Sequence, residues 1–278
     1  MAVDMEKRAK NAQISLIKIL EEKDNAGEPL GEVVAQVIVA CDYSYSMKKR
    51  YEEIMRGYTK PEVPDIAERL LGVAMSGLDD DNKVPWFMFD DKVYDPFIVE
   101  PDGVENCIEN WAMVPDDTSR TISAAPPKRK LFGRAKPPEA APAGVPLVRR
   151  RYGGTNYLVV IDAILEYIKE NGLDAPDQPP ILIAFITDGD TGRDLEQPVM
   201  DRLVEARKIA AFWQFVGLGY TPAFLKKLNK MGGGIDNVGL FEVADVISLS
   251  DEDFYDKFLS EFFREWLPEA RRIKLTLK

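Results

Sequence analysis

Val39-Ala40-Cys41-Asp42-Tyr43-Ser44-Tyr45-Ser46 closes a run, from Val33 to Cys41, that is almost wholly apolar and rich in β-branched residues. Such a run is too uniformly apolar for a half-exposed strand and reads as a central strand buried on both faces. Ile181 to Ile186 repeats the pattern and runs into Thr187-Asp188-Gly189-Asp190. If these two strands are neighbours where a doubly wound sheet reverses its strand order, their following loops share one crevice. Ligands of such folds bind there, outside the strands' carboxyl ends.

Working outward, residues 4–23 contain strong helix formers with Ile14, Ile17 and Leu20 as the face expected to pack on the main body. Asn25-Ala26-Gly27-Glu28-Pro29 stops that helix. Helical patterns follow at 47–57 and, after Pro61 and Pro64, at 65–78. Val84 to Phe89 and Val93 to Val99 are strands joined only by Asp90-Asp91-Lys92, so they form an antiparallel hairpin, since a parallel pair needs a long crossover. Helices are expected at 104–111, 156–170, 197–208, 222–230 and 251–266, with further strands at 211–216 and 238–243. Strands alternating with helices predict an α/β fold: a doubly wound, mostly parallel sheet with helices on both faces. The expected organisation is an N-terminal helix and linker (1–30), the main domain (31–267) and a tail (268–278).

Residues 115–151 do not fit this alternation. They hold Pro126-Pro127, Pro137-Pro138, Pro142 and Pro146 with the basic clusters Lys128-Arg129-Lys130 and Arg149-Arg150-Arg151. Such a stretch buries too little apolar surface for a core and reads as a mobile insertion or an interaction arm. Residues 116–151 carry a balance of +6 within a chain of net charge −11, leaving −17 on the rest. That acidic balance argues against nucleic-acid binding by the surface as a whole.

No apolar stretch reaches the ~18 to 20 residues of a bilayer span. The start, Met1 to Arg8, lacks the apolar core of a secretory signal, so a cytoplasmic location is expected. Histidine is absent, which removes Ser-His-Asp and Cys-His catalysis and His-ligated zinc. The two cysteines, Cys41 and Cys107, make no disulfide framework.

What remains is a set of oxygen donors: Asp42, Ser44, Ser46, Thr155 (in Gly153-Gly154-Thr155-Asn156) and Asp188. Hydroxyls and carboxylates suit a hard divalent cation such as Mg²⁺, with Ca²⁺ or Mn²⁺ as alternatives. Competing readings are turn chemistry for Asp42, Ser44 and Ser46, and a helix N-cap for Thr155. Asp190 either tunes the site or solvates its loop. Asp79-Asp80-Asp81 reads as a solvated turn at a helix end. Lys48, Lys49 and Arg50 after Ser46, with Arg149, Arg150 and Arg151 before Gly153, predict a positive rim that favours anionic ligands.

In matching order over about 33–267, this pattern resembles the von Willebrand factor A (vWA) domain with its metal-ion-dependent adhesion site (MIDAS). Asp42, Ser44 and Ser46 match its Asp-x-Ser-x-Ser, Thr155 its separate threonine, and Asp188 its later aspartate. The branch most similar is that of TerF-like tellurium-resistance and stress proteins, on Asp79 to Asp81, Trp86 to Phe89, Gly153 to Tyr157 and Ile186 to Asp190. The resemblance implies six strands in the order 3-2-1-4-5-6 with the third antiparallel. It implies Ser44, Ser46 and Thr155 close to Mg²⁺, with Asp42 and Asp188 often acting through waters. It further implies that an exposed Asp or Glu of a protein partner completes the shell, in an interaction module and not an enzyme, and a role in a larger assembly or in a tellurium or chemical stress response. Tyr45 stands where most members have glycine and is expected to cover the site in part.

The rival is a Mg²⁺-dependent phosphotransferase of the haloacid-dehalogenase type, with Asp188 as nucleophile and Asp190 as general acid. Gly192 stands where that motif expects Thr or Val.

Overall fold

The structure, a computed structural model, describes residues 5–27, 33–54, 60–79, 81–100, 107, 153–175, 177–220, 222–231 and 236–275. The chain divides into two units, Met1–Glu105 with Tyr152–Lys278, and Asn106–Arg151. Of the second unit only Cys107, which is half-buried, is described. Apart from Cys107, the predicted 104–111 helix lies outside the described residues, as does the 115–151 insertion with Arg149, Arg150 and Arg151.

Strand β1 (Gln36–Asp42) is central, as its unbroken apolar run requires, with every residue from Val37 onward buried. It pairs in parallel with β2 (Val84–Phe89) on one side and β4 (Ile181–Thr187) on the other. Beyond β4 lie β5 (Ala211–Leu218) and β6 (Val238–Val243), both parallel. Beyond β2 lies antiparallel β3 (Phe97–Val99). The order is β3-β2-β1-β4-β5-β6, with one antiparallel edge strand, as expected.

The hairpin differs from the prediction in its return arm. Phe89 bridges Val93, but ladder pairing resumes only at Phe97 opposite Trp86, a shift of one residue. The intervening Tyr94-Asp95-Pro96 forms a bulge, where a proline without an N–H is tolerated.

Alternation of side chains sends Ile38, Ala40, Phe87, Phe89, Ile183, Phe185, Trp213 and Phe215 to one face. There they pack on α4 (Tyr157–Glu170), α5 (Glu196–Glu205) and α6 (Ala223–Leu228). The opposite side carries α1 (Met5–Asn25), which packs on α3 (Glu62–Val73) and α7 (Asp251–Glu261). Pro64 sits in the first turn of α3, where a missing N–H removes no helical bond. The short α2 (Lys48–Glu52) follows the β1 loop. The closing helix continues past residue 266 as α8 (Leu267–Arg272), because Leu267 and Ala270 are buried along with Trp266.

Two expectations are corrected. Helix α1 docks through Ala12, Ser15, Leu16 and Ile19, whereas Ile14 and Ile17 stand about half exposed. The reason is electrostatic as well as steric. Arg8 Nη2 reaches Asp65 (2.7 Å) and Glu68 (3.2 Å) on α3, Arg8 Nη1 reaches Asp251 (3.4 Å) on α7, and that clasp fixes the helix's rotation. Asp79 is not a solvated turn residue. It is buried, and its Oδ2 accepts from Val37 N at 2.7 Å, satisfying a backbone donor at the start of β1.

Candidate functional site

The register between β1 and β4 sets Cys41 beside Ile186, so Asp42 and Thr187 emerge side by side. Thr187 Oγ1 donates to Asp42 Oδ2 at 2.7 Å, and Ser44 N donates to Asp42 Oδ1 at 2.7 Å. Tyr51 Oη holds the Asp42 carbonyl at 2.7 Å. Asp42 is completely buried. Burial pushes its carboxyl up to about 7, the bonds from Ser44 and Thr187 work against that, and the nearby Asp188 charge adds to it. An ionised Asp42 is therefore costly unless a cation stands close by.

Ser44 bridges Gly153 in a short parallel pairing, and Tyr45 N donates to Gly153 O at 2.9 Å. The third loop is thereby strapped to the first. A Cβ at Gly153 would lie 2.7 Å from Asp90 Oδ2 and 2.8 Å from Asp91 Oδ1, so any larger residue would push these side chains of the β2–β3 turn aside. The N-cap of α4 is Asn156, whose Oδ1 accepts from Leu158 N at 3.1 Å. Thr155 is consequently not needed as the cap.

Three loops converge at Gly189. The point where its Cβ would stand is 3.5 Å from Ser46 Oγ and 3.6 Å from Thr155 Oγ1. Ser44 Oγ and Ser46 Oγ are 3.1 Å apart. Tyr157 Oη contacts Thr187 Oγ1 at 3.1 Å and donates to Gly189 O, holding the Thr187–Gly189 turn from beneath. Asp188 Oδ2 accepts from Arg50 Nε at 2.9 Å. Its Oδ1 is buried with no hydrogen-bond partner among the described residues.

The donor chemistry fits Mg²⁺. Three hydroxyls and two carboxylates offer only hard oxygen, and an unpartnered buried carboxylate oxygen is an acceptor waiting for a cation or its bound water. Among the described residues no three acidic or sulfur side chains cluster in metal-binding fashion, so the hydroxyls would carry much of any coordination.

Of the residues expected to form a positive rim, Lys48, Lys49 and Arg50 are described. Lys48 and Lys49 are exposed, and Tyr45 is 74% exposed, its ring standing largely in solvent. Arg50 is turned inward and pairs with Asp188 and Glu62. Asp190 Oδ1 accepts from Phe224 N at 3.2 Å, tying the β4 loop to the first turn of α6. Sequence reading missed Thr187, Tyr157, Tyr51 and Glu62. The first two lie within the motifs Ile-Thr-Asp-Gly and Gly-Gly-Thr-Asn-Tyr, where a buried polar neighbour of the donors was the available signal.

A doubly wound sheet with an antiparallel edge strand, and these three loops gathered where its order reverses, define a von Willebrand factor A domain. Residues 34–275 match the vWA-TerF-like family, described as the vWA found in TerF C terminus, and the chain belongs to that family. It is 25% identical over 271 residues to the uncharacterized protein YcbR of Bacillus subtilis (strain 168), covering 97% of this chain and 88% of that protein. Proximal thread matrix protein 1 from the mussel byssus superposes with a TM-score of 0.46 at 13% identity, over 81% of this chain and 47% of that one. The chain thus spans about half the length of the mussel protein. Domains of the vWA class are commonly protein-interaction modules. No helix among the described residues is long and apolar enough to cross a membrane.

Proposed function

We propose that this domain binds a protein partner through a divalent cation, Mg²⁺ in the first instance, with an acidic side chain of the partner completing the ion's shell. Ser44, Ser46 and Thr155 would hold the ion, with Asp42 and Asp188 supplying the negative charge around it. A bound ion supplies a positive centre whose open position an outside carboxylate can take. The chain's own residues do the rest. Thr187 and the Ser44 N–H orient Asp42, the Tyr45–Gly153 strap brings Thr155 in, and Tyr157 fixes the turn that carries Asp188.

The observation that carries this reading is the convergence on Gly189 of Ser46 and Thr155 from distant loops, beside the unpartnered Asp188 Oδ1. Turn chemistry explains the bond from Ser44 N to Asp42, but it does not bring Thr155 to the same point. We propose further, on the resemblance to TerF-like proteins alone, that the interaction serves a tellurium or chemical stress response. The phosphotransferase reading gains nothing from the geometry, because Asp188 is bonded to Arg50 and Asp190 to a helix N–H.

The test is affinity capture from the native host with and without EDTA, using the wild type and Ser44→Ala/Ser46→Ala. A partner retained by the wild type with Mg²⁺, and lost with EDTA or in the double variant, supports the reading. A partner retained equally in all cases overturns it, as does Mg²⁺-dependent hydrolysis of an aryl phosphate that Asp188→Asn abolishes.

A further inference from the structure

The cation Arg50 is built into the candidate site. It leaves α2 and enters between three elements: Nε meets Asp188 Oδ2 at 2.9 Å, Nη1 pairs with Glu62 on α3, and Nη2 donates to Leu218 O at 3.2 Å. Glu62 is itself buried. Gly219 has a left-handed φ of +73°, and a Cβ there would collide with Arg50 Nη2, so the β5 loop is shaped around this guanidinium. Sequence order places Arg50 four residues after Ser46, among exposed lysines, yet it is the one of the three that turns in.

We infer that Arg50 is a positioning residue that sets the cation affinity of the site, with Glu62 as its counterweight. The inference rests on the metal reading above and deepens it. The guanidinium fixes Asp188 by one oxygen and leaves Oδ1 for the ion or its water. The same positive charge opposes a second cation nearby, so the domain holds the ion loosely on its own. An incoming carboxylate, which Arg50 attracts, then adds to retention. Glu62 limits this repulsion by neutralising the far side of the guanidinium. A purely mechanical latch would behave differently, since breaking either arm would loosen Asp188 and weaken the ion.

The charges therefore give opposite signs to two neighbouring substitutions. Mn²⁺ binding at low ionic strength, followed by the paramagnetic signal of the free ion, is the readout, with urea unfolding in EDTA as a control for the fold. Arg50→Gln should tighten Mn²⁺ at least about threefold, because unit charges a few ångströms apart interact by more than thermal energy even in water. Glu62→Gln should weaken Mn²⁺ by a similar factor, while Arg50→Lys should change it little. Weaker Mn²⁺ binding by Arg50→Gln, or unchanged or tighter binding by Glu62→Gln, overturns the role assigned to Arg50 while leaving the metal site standing. Wild-type Mn²⁺ binding that is indifferent to Ser44→Ala/Ser46→Ala would instead overturn the metal reading itself, and this inference with it.

Discussion

Replacing Asp79 by asparagine should make the protein more stable at alkaline pH and leave it nearly unchanged in acid. Asp79 lies behind the left-handed Gly77, at the end of the turn that leads out of α3. Its Oδ2 accepts from Val37 N and its Oδ1 from Asp81 N at 3.3 Å. Burial pushes its carboxyl up from 3.8 to about 7, the two backbone donors oppose this, and the adjacent Asp81 adds to it. In the unfolded chain the group ionises near 3.8, while in the fold it keeps its proton to about 7. The folded state therefore binds more protons across that window, and stability falls as pH rises through it. Each unit of difference is worth 1.36 kcal/mol, so from pH 5.5 to neutrality the wild type should lose about 2 kcal/mol through this group. Asparagine keeps an acceptor for Val37 N and has no proton to lose. Urea unfolding of both proteins at pH 5.5 and pH 8 measures the gap, and other carboxyls titrating in the same window cancel in the comparison. A gap equal at the two pH values would refute the reasoning, since Asp79 would then be ionised at both and its two N–H partners would compensate its burial.

Arg69→Met should cost about 3 kcal/mol in urea unfolding, as expected when one partner leaves a buried ion pair. Its guanidinium is buried between Asp65 (3.0 Å), Leu249 O (2.9 Å) and the ring of Phe254, and a loss under 1 kcal/mol would show that Arg8 alone suffices to compensate Asp65. Gly153→Ala should cost about 1 to 3 kcal/mol, the usual range for overpacking, and should weaken Mn²⁺ binding as well, because its Cβ would press on Asp90 and Asp91. Mn²⁺ affinity unchanged in that variant would show that the strap does not position Thr155.

The fold was legible where one physical cause dominates. Two unbroken apolar runs, Val33 to Cys41 and Ile181 to Ile186, can be satisfied only by strands covered on both faces, and a three-residue link after Phe89 permits only an antiparallel return. Those constraints are local, and β1, β4 and the β2–β3 hairpin follow from them. Where several causes compete, the sequence left the choice open. In α1 the larger side chains Ile14 and Ile17 point away from the body while Ala12 and Ser15 pack inward, because Arg8 must reach Asp65, Glu68 and Asp251 on two other helices. Helical period alone cannot weigh a charge clasp whose partner Asp251 lies 243 residues away. The same distance problem hides Arg50. Lys48, Lys49 and Arg50 are equivalent as a run of positive residues, and only the approach of Glu62, Asp188 and Leu218 O distinguishes the third. The candidate donors stood out because hydroxyl and carboxylate types sat at strand ends; the groups that orient them did not. Thr187 and Tyr157 are single polar atoms facing into a packed interior, and a buried hydroxyl gains meaning only once its acceptor is in place. On the metal reading proposed above, the site is written twice in the chain, once as candidate donors in short motifs and once as distant charges that would set their strength.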